Sequence, residues 1–219
     1  MATSGTTAFE LDVSDTIEEA YERIGIEIRS GYQAKTARRS LNLLLQQLSN
    51  KQVNLWKLVL TSQALVQGTA SYTLASDVLD IKDVVLRRSS IDTRMSRLSR
   101  AEYQTRPNKT TQGRPSQFWL ERLSTPVLHI YLAPENSTDT VRFYAMERIE
   151  DISTSQNTID IPSRFAEAIT SGLTYKLAIK FKPERVADTK ATYDEELIAA
   201  LDEDRERVSF KVVPKIARV

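Results

Sequence analysis

Apolar residues recur at two different periods along this chain, and the changes of period divide it. From Asp12 to about residue 50 the spacing is near 3.6. Asp12 and Ser14 offer N-caps for a first helix whose stripe is Ile17, Ala20, Tyr21 and Ile24, with Gly25 or Gly31 available to end it. A second helix is predicted over Gln33–Ser49, setting Ala34, Ala37, Leu41, Leu44, Leu45 and Leu48 against Arg38, Arg39, Asn42 and Gln46. After the turn-forming Ser49-Asn50-Lys51-Gln52 the period drops to about 2. Leu55–Leu60, Ser71–Leu74 and Asp83–Leu86 read as short strands, Gly68 punctuating the first pair, and Thr93–Leu98 as another. Ser99-x-x-Glu102 is a capping-box pattern for a short helix. Arg106–Arg114 has loop chemistry and runs into Pro115. Strands follow at Ser116–Arg122, Val127–Leu132 and Thr140–Met146, separated by turn-rich segments.

The helical period then returns. Ile161–Phe181 reads as one long, mostly apolar helix, Pro162 being tolerated in its first turn and Ser163 being a helix starter. Phe165, Ala166, Ile169, Gly172, Leu173 and Leu177 recur at three and four, Ala168 and Ile179 widen the stripe, and Arg164, Glu167, Ser171 and Thr174 form a narrow wet face. Such a helix must be covered on several sides. Its charges (Arg164, Glu167, Lys176, Lys180, with Lys182 just beyond) oppose a membrane span. A last helix over about Glu184–Arg207 has a narrow seam of Val186, Tyr193, Leu197 and Ala200/Leu201 on a surface of net charge −5. Ser209–Val219 breaks the pattern with Phe210, Val212, Val213, Pro214, Ile216 and Val219, an apolar arm expected to dock on its own fold or on another subunit. The expected fold class is α+β: a bundle of about four helices with an antiparallel β insertion and an extended C-terminal arm. The expected divisions are 1–52, 53–150, 151–208 and 209–219. Residues Met1–Ala8, small and polar, are expected to be mobile or ordered only by a partner.

Composition mainly excludes. The chain of 219 residues has 30 Lys+Arg against 29 Asp+Glu, so its global charge selects no partner. Zero cysteines remove disulfides, thiolate catalysis and cysteine-bound metals, and one histidine leaves no cluster for zinc or iron. No apolar leader opens the sequence. A soluble protein made in a cytoplasm, without membrane association and without a cofactor, is expected.

Chemical motifs are few. His129 sits between Leu128 and Ile130 in a predicted strand with no neighbouring serine or carboxylate motif, which favours a structural or surface role. No G-x-S-x-G, P-loop or G-x-G-x-x-G occurs. Asp77, Asp80 and Asp83 lack the glycine and distal glutamate of a calcium loop, and cap or turn roles are the plainer reading. Two acids of the last helix would suffice for glycosidase chemistry, but any acidic helix qualifies equally. The most specific charge feature runs from Arg87 to Arg114. Arg87, Arg88, Arg94, Arg97, Arg100, Arg106, Lys109 and Arg114 stand against Asp92 and Glu102, net +6. The stretch suits phosphate contact. It equally suits a solvated edge, or a patch meeting the acidic helix of another copy.

Several stretches, in order, resemble the head-to-tail adaptor proteins of tailed bacteriophages, also called tail accessory or packaged-DNA-stabilisation proteins. They are Thr36-Ala37-Arg38-Arg39-Ser40-Leu41-Asn42-Leu43-Leu44-Leu45, Asn54-Leu55-Trp56 and Pro107-Asn108-Lys109-Thr110-Thr111-Gln112-Gly113-Arg114-Pro115-Ser116. Arg148-Ile149-Glu150-Asp151, Asp160-Ile161-Pro162 and Asp202-Glu203-Asp204-Arg205-Glu206-Arg207 follow. The chain departs at Gln47–Lys51, where such proteins often carry a tryptophan and a glycine. The resemblance implies a virion structural protein without catalysis, assembled in the host cytoplasm and located at the head–tail junction. It implies a homo-oligomeric ring, typically of twelve copies, that binds the portal protein through the C-terminal segment. The ring would extend the channel for packaged double-stranded DNA and dock a tail nozzle or tail tube protein. Other readings stay open: a gatekeeper-type neck or tail ring protein, a virion-associated peptidoglycan hydrolase, and a DNA-binding module acting outside a virion.

Overall fold

The computed structural model describes Gly5 and residues 12–51, 55–154 and 156–204. The arm predicted at Ser209–Val219, the end of the last predicted helix and, Gly5 apart, the stretch Met1–Ala8 lie outside the described residues. The fold is mixed α+β, and the chain parts into two compact units. One comprises the described residues up to Leu44 and those from Ile152 onward; the other is Leu45–Asp151.

The first unit is helical. Helix α1 (Val13–Arg23) starts at Asp12, whose side chain accepts a hydrogen bond from the Ser14 N–H at 3.2 Å, and the chain leaves it through Gly25 at φ +72°. Gly31 does not end that helix but opens α2 (Gly31–Asn50), which crosses from this unit into the next. Asn42 on α2 holds Ile152 by both backbone groups, donating to its carbonyl at 3.1 Å and accepting from its N–H at 2.9 Å. The apolar helix is shorter than its pattern predicts. Ser163–Phe165 forms a 3-10 turn after Pro162, and α4 proper is Ala166–Phe181. Tight turns of this kind are common at helix starts, where the first N–H groups have no partner four residues back.

Two expectations about α4 need correction. Ser171 and Thr174, read as wet, are buried. The Ser171 hydroxyl lies between Arg23 and Glu167, and the Thr174 hydroxyl donates to the Thr170 carbonyl. Their polarity is thus satisfied locally, which lets a second side of the helix be covered. Ile179, read as core, is exposed. Helix α5 (Val186–Asp204), preceded by a 3-10 turn at Pro183–Arg185, packs on α4 through Tyr193, Leu197 and Ala200. Gly172 marks the tightest approach. A Cβ there would lie 2.8 Å from Leu44 Cδ2 of α2 and 2.8 Å from Tyr193 Cε2 of α5.

The second unit is mainly β. Its strands are β1 (Leu58–Ala64), β2 (Ser71–Thr73), β3 (Val78–Arg88), β4 (Ile91–Arg94) and β5 (Ser96–Arg97). After helix α3 (Arg100–Thr105) come β6 (Gln112–Gly113), β7 (Gln117–Glu121), β8 (Val127–Tyr131), β9 (Ala133–Pro134) and β10 (Thr140–Glu147). One sheet has the order β1-β10-β3-β4 and is antiparallel throughout. A second has the order β2-β8-β7-β5, and Ile81, Leu86, Val141 and Phe143 of the first share one buried cluster with Phe118, Leu128 and Ile130 of the second.

The insertion is not purely antiparallel as expected: β5 pairs with β7, and β6 with β9, in parallel. Parallel neighbours need a long crossover, which the α3 connection supplies between β5 and β7. The first strand also starts later than its sequence suggests, because Leu55–Lys57 forms a 3-10 turn. Strand β3 extends well before the predicted Asp83–Leu86, and Thr93–Leu98 divides into β4 and β5. The capping box at Ser99 forms as predicted, the Ser99 hydroxyl accepting from the Glu102 N–H and Glu102 accepting from the Ser99 N–H. That second bond holds the Glu102 carboxyl below its usual range.

Candidate interaction surface

The eight bases of the Arg87–Arg114 stretch do not form one patch. Arg87 and Arg88 end β3, Arg94 lies in β4, Arg97 in β5, and Arg100 opens α3. Arg106 caps α3, while Lys109 and Arg114 flank β6 in the connections around it.

Three of the eight are taken by carboxylates. Arg87 meets Asp92 through two hydrogen bonds of 2.7 Å and holds that carboxyl below its usual range. Arg88 grips the almost fully buried Asp139, with Nη2 at 2.6 Å, and also reaches Glu135 at 2.8 Å. Charge leaves water here only because the guanidinium and the Asn136 side-chain amide meet it. Arg97 pairs with Asp80 at 2.7 Å. Asp80 is thereby removed from any calcium loop, the Asp77 carbonyl accepts from the Arg148 N–H, and no metal-holding cluster of acids or histidine occurs among the described residues.

Cross-strand register brings other bases together. On the outer face of the first sheet, Leu60, Tyr144 and Lys82 form one row across β1, β10 and β3. Ser62, Arg142, Val85 and Arg94 form the next. Lys82 and Arg142 lie outside the sequence run singled out above. Arg142 is found by the alternation of β10, which points every second residue away from the core, whereas on β3 a register shift at Asp83 puts Lys82 and Val85, three residues apart, on that face.

Arg100 and Lys109 sit instead around an open cavity of about 410 Å³ over the second sheet. Its floor is aromatic. Trp119 stacks on His129 with centroids 4.7 Å apart, Tyr103 of α3 leans on both, and Lys109 lies over the Tyr103 ring at 5.4 Å. Arg106 lies over Tyr131 at 5.5 Å. His129 has partners that sequence neighbours did not reveal. Its Nδ1 is 2.9 Å from the Ser71 hydroxyl and its Nε2 is 3.1 Å from Glu121 Oε2. Ser71 faces His129 directly and Glu121 lies diagonally across β7, so strand pairing assembles this chain of groups.

The acids of the last helix are equally organised. Tyr193, Leu197 and Ala200 turn inward, while Asp188, Asp194, Glu195, Asp202 and Glu203 are exposed. Asp204 is held by Arg164. A separate cluster joins α1 to α4: Arg23 binds Glu167 at 2.5 and 3.0 Å, Ser171 at 3.1 Å and Glu19 at 2.7 Å. The Arg23 hydrogen bond lowers the Glu167 pKa. The predicted portal-contact residues Phe210, Val212, Val213, Pro214, Ile216 and Val219 lie outside the described residues. Among the described residues, no helix is long and apolar enough to cross a membrane.

No curated protein matches the chain. A family model described as SU10 adaptor protein matches residues 12–214, spanning both the helical and the β unit. Adaptor families are structural, non-enzymatic proteins of the phage particle, and the chain belongs to the SU10 adaptor protein family, in line with its resemblance to phage head-to-tail adaptors.

Proposed function

We propose that this chain is the subunit of a head-to-tail adaptor ring, of about twelve copies, seated between the portal protein and the next tail component. The single observation that carries the reading is the family match across residues 12–214, which takes in the described part of both units. The ring extends the channel for packaged double-stranded DNA, and the apolar segment Phe210, Val212, Val213, Pro214, Ile216 and Val219 contacts the portal. Arg94, Arg100, Arg106, Lys109 and Arg114, which form no salt bridge among the described residues, are the members of the basic stretch left to meet phosphate or a neighbouring subunit. Deleting Ser209–Val219 is expected to abolish attachment to filled heads while leaving the helical circular dichroism of the chain intact. Unchanged attachment would refute the assignment of that segment, and an image of the particle neck without this chain would refute the ring.

A second reading has one observation in its favour. Ser71, His129 and Glu121 stand in the order of nucleophile, base and orienting carboxylate. Packing of the imidazole against both Trp119 and Tyr103 suits a structural bridge across three strands equally well. Turnover of purified cell wall that disappears in Ser71→Ala would establish the hydrolase reading; the structural reading expects no turnover in either protein.

A further inference from the structure

The outer face of the first sheet and the outer side of α5 are unfinished in complementary ways. On the sheet, Leu60 and Tyr144 are 47% and 41% exposed. Lys82, Arg94 and Arg142 around them form no salt bridge among the described residues, although Arg142 feels the field of Asp92. Among the described residues the face ends at β1, which has a strand neighbour on one side only. Its sequence, Leu-Val-Leu-Thr-Ser-Gln-Ala, contains none of the charges or prolines that normally protect a free edge. On α5, Ile198 is 60% exposed. Asp194 and Glu195 lie one turn before it, so an apolar residue sits beside two exposed carboxylates.

We infer that α5 of one copy lies across this sheet face of the next. Ile198 packs against Leu60 and Tyr144, and the carboxylates of Asp194 and Glu195 meet Lys82, Arg94 and Arg142. The two patches differ, so the contact is heterologous and propagates around a ring. Dimensions agree. A helix of 19 residues is roughly 28 Å long at 1.5 Å per residue, enough to cross four strands spaced about 4.8 Å apart. A phosphate backbone fits less well: it has no use for the exposed Leu60 and leaves Ile198 in water. This inference rests on the ring reading and identifies the contact that would build it.

The test exploits a chain with no cysteine. Full-length Ile198→Cys and Leu60→Cys proteins are mixed under mild oxidation, with and without filled heads. Mixed disulfide dimers are expected in preference to either homodimer, and a chain carrying both substitutions is expected to give a ladder. Asp194→Lys with Glu195→Lys should cut the mixed yield roughly tenfold or more, and Arg94→Glu with Arg142→Glu in the partner should restore it. Absence of preference, or a loss that the partner swap does not restore, overturns the contact while leaving the ring standing if the native chain still assembles. A chain that stays single at every concentration, heads included, overturns both. Arg94→Glu with Arg142→Glu that weakens duplex binding and leaves the mixed disulfide intact assigns the face to nucleic acid and overturns the contact.

Discussion

Replacing Gly172 by alanine tests how tightly the helical unit is assembled. In an exposed helix the change stabilises by about 1 kcal/mol, because alanine loses less backbone entropy. Here the new Cβ would stand 2.8 Å from Leu44 Cδ2, 2.8 Å from Tyr193 Cε2 and 3.1 Å from Tyr193 Cδ2. Carbon atoms are at ease near 3.5–4.0 Å, so both flanking side chains must retreat by more than half an ångström. Leu44 is fully buried and Tyr193 is 5% exposed, which leaves them little room. Overpacking of this kind costs about 1–3 kcal/mol. Set against the propensity gain, Gly172→Ala should lower stability by about 1 kcal/mol and the melting temperature by about 2–4 °C. The assay is urea unfolding followed by helical circular dichroism. A double-mutant cycle sharpens it: Leu44→Ala alone should cost about 2–5 kcal/mol, and less in the Gly172→Ala background because the new methyl enters the vacated space. Stabilisation by the full propensity term, or strictly additive effects, would show that α2 and α5 do not converge on Gly172.

Two further outcomes follow from the hydrogen-bond network of the helical unit. Asn42→Ala should cost about 1–3 kcal/mol in the same urea assay, since it removes both partners of the Ile152 backbone; a loss below a few tenths would mean that water replaces them without cost. Glu167 has a pKa lowered by Arg23, so its contribution is present above the unfolded-state value near 4.3 and fades as pH falls through the lower folded-state value. With the Glu167 side chain half exposed, the effect should stay below about 1 kcal/mol, and Glu167→Gln should flatten that part of the urea-midpoint profile against pH; an unchanged profile would refute the pairing.

How much was legible from the sequence varies by element. The Asp12 cap, the Ser99–Glu102 capping box and the strands at 117–121, 127–131 and 140–147 follow from side-chain chemistry within a few residues or from strict alternation. The sequence predicts only part of strand β3 because Asp80, Lys82 and Asp83 are polar and break the apolar run. In the sequence the basic stretch is one feature because charge along a chain is additive. In space, Asp139 and Asp80 neutralise parts of it, and Lys82 and Arg142 join what is left.

Local sequence therefore determined where this chain coils, where it extends and which face of most elements avoids water, because periodicity and capping act over a turn or a strand. It also carried the family, through stretches spread over most of its length. Tertiary structure alone decided that Ser171 and Thr174 are buried, that His129 has Ser71 and Glu121 as neighbours, and that β5 and β7 run parallel. Those outcomes depend on which distant segment arrives to cover, pair or accept a hydrogen bond, and a residue's own neighbours in sequence hold no record of that arrival.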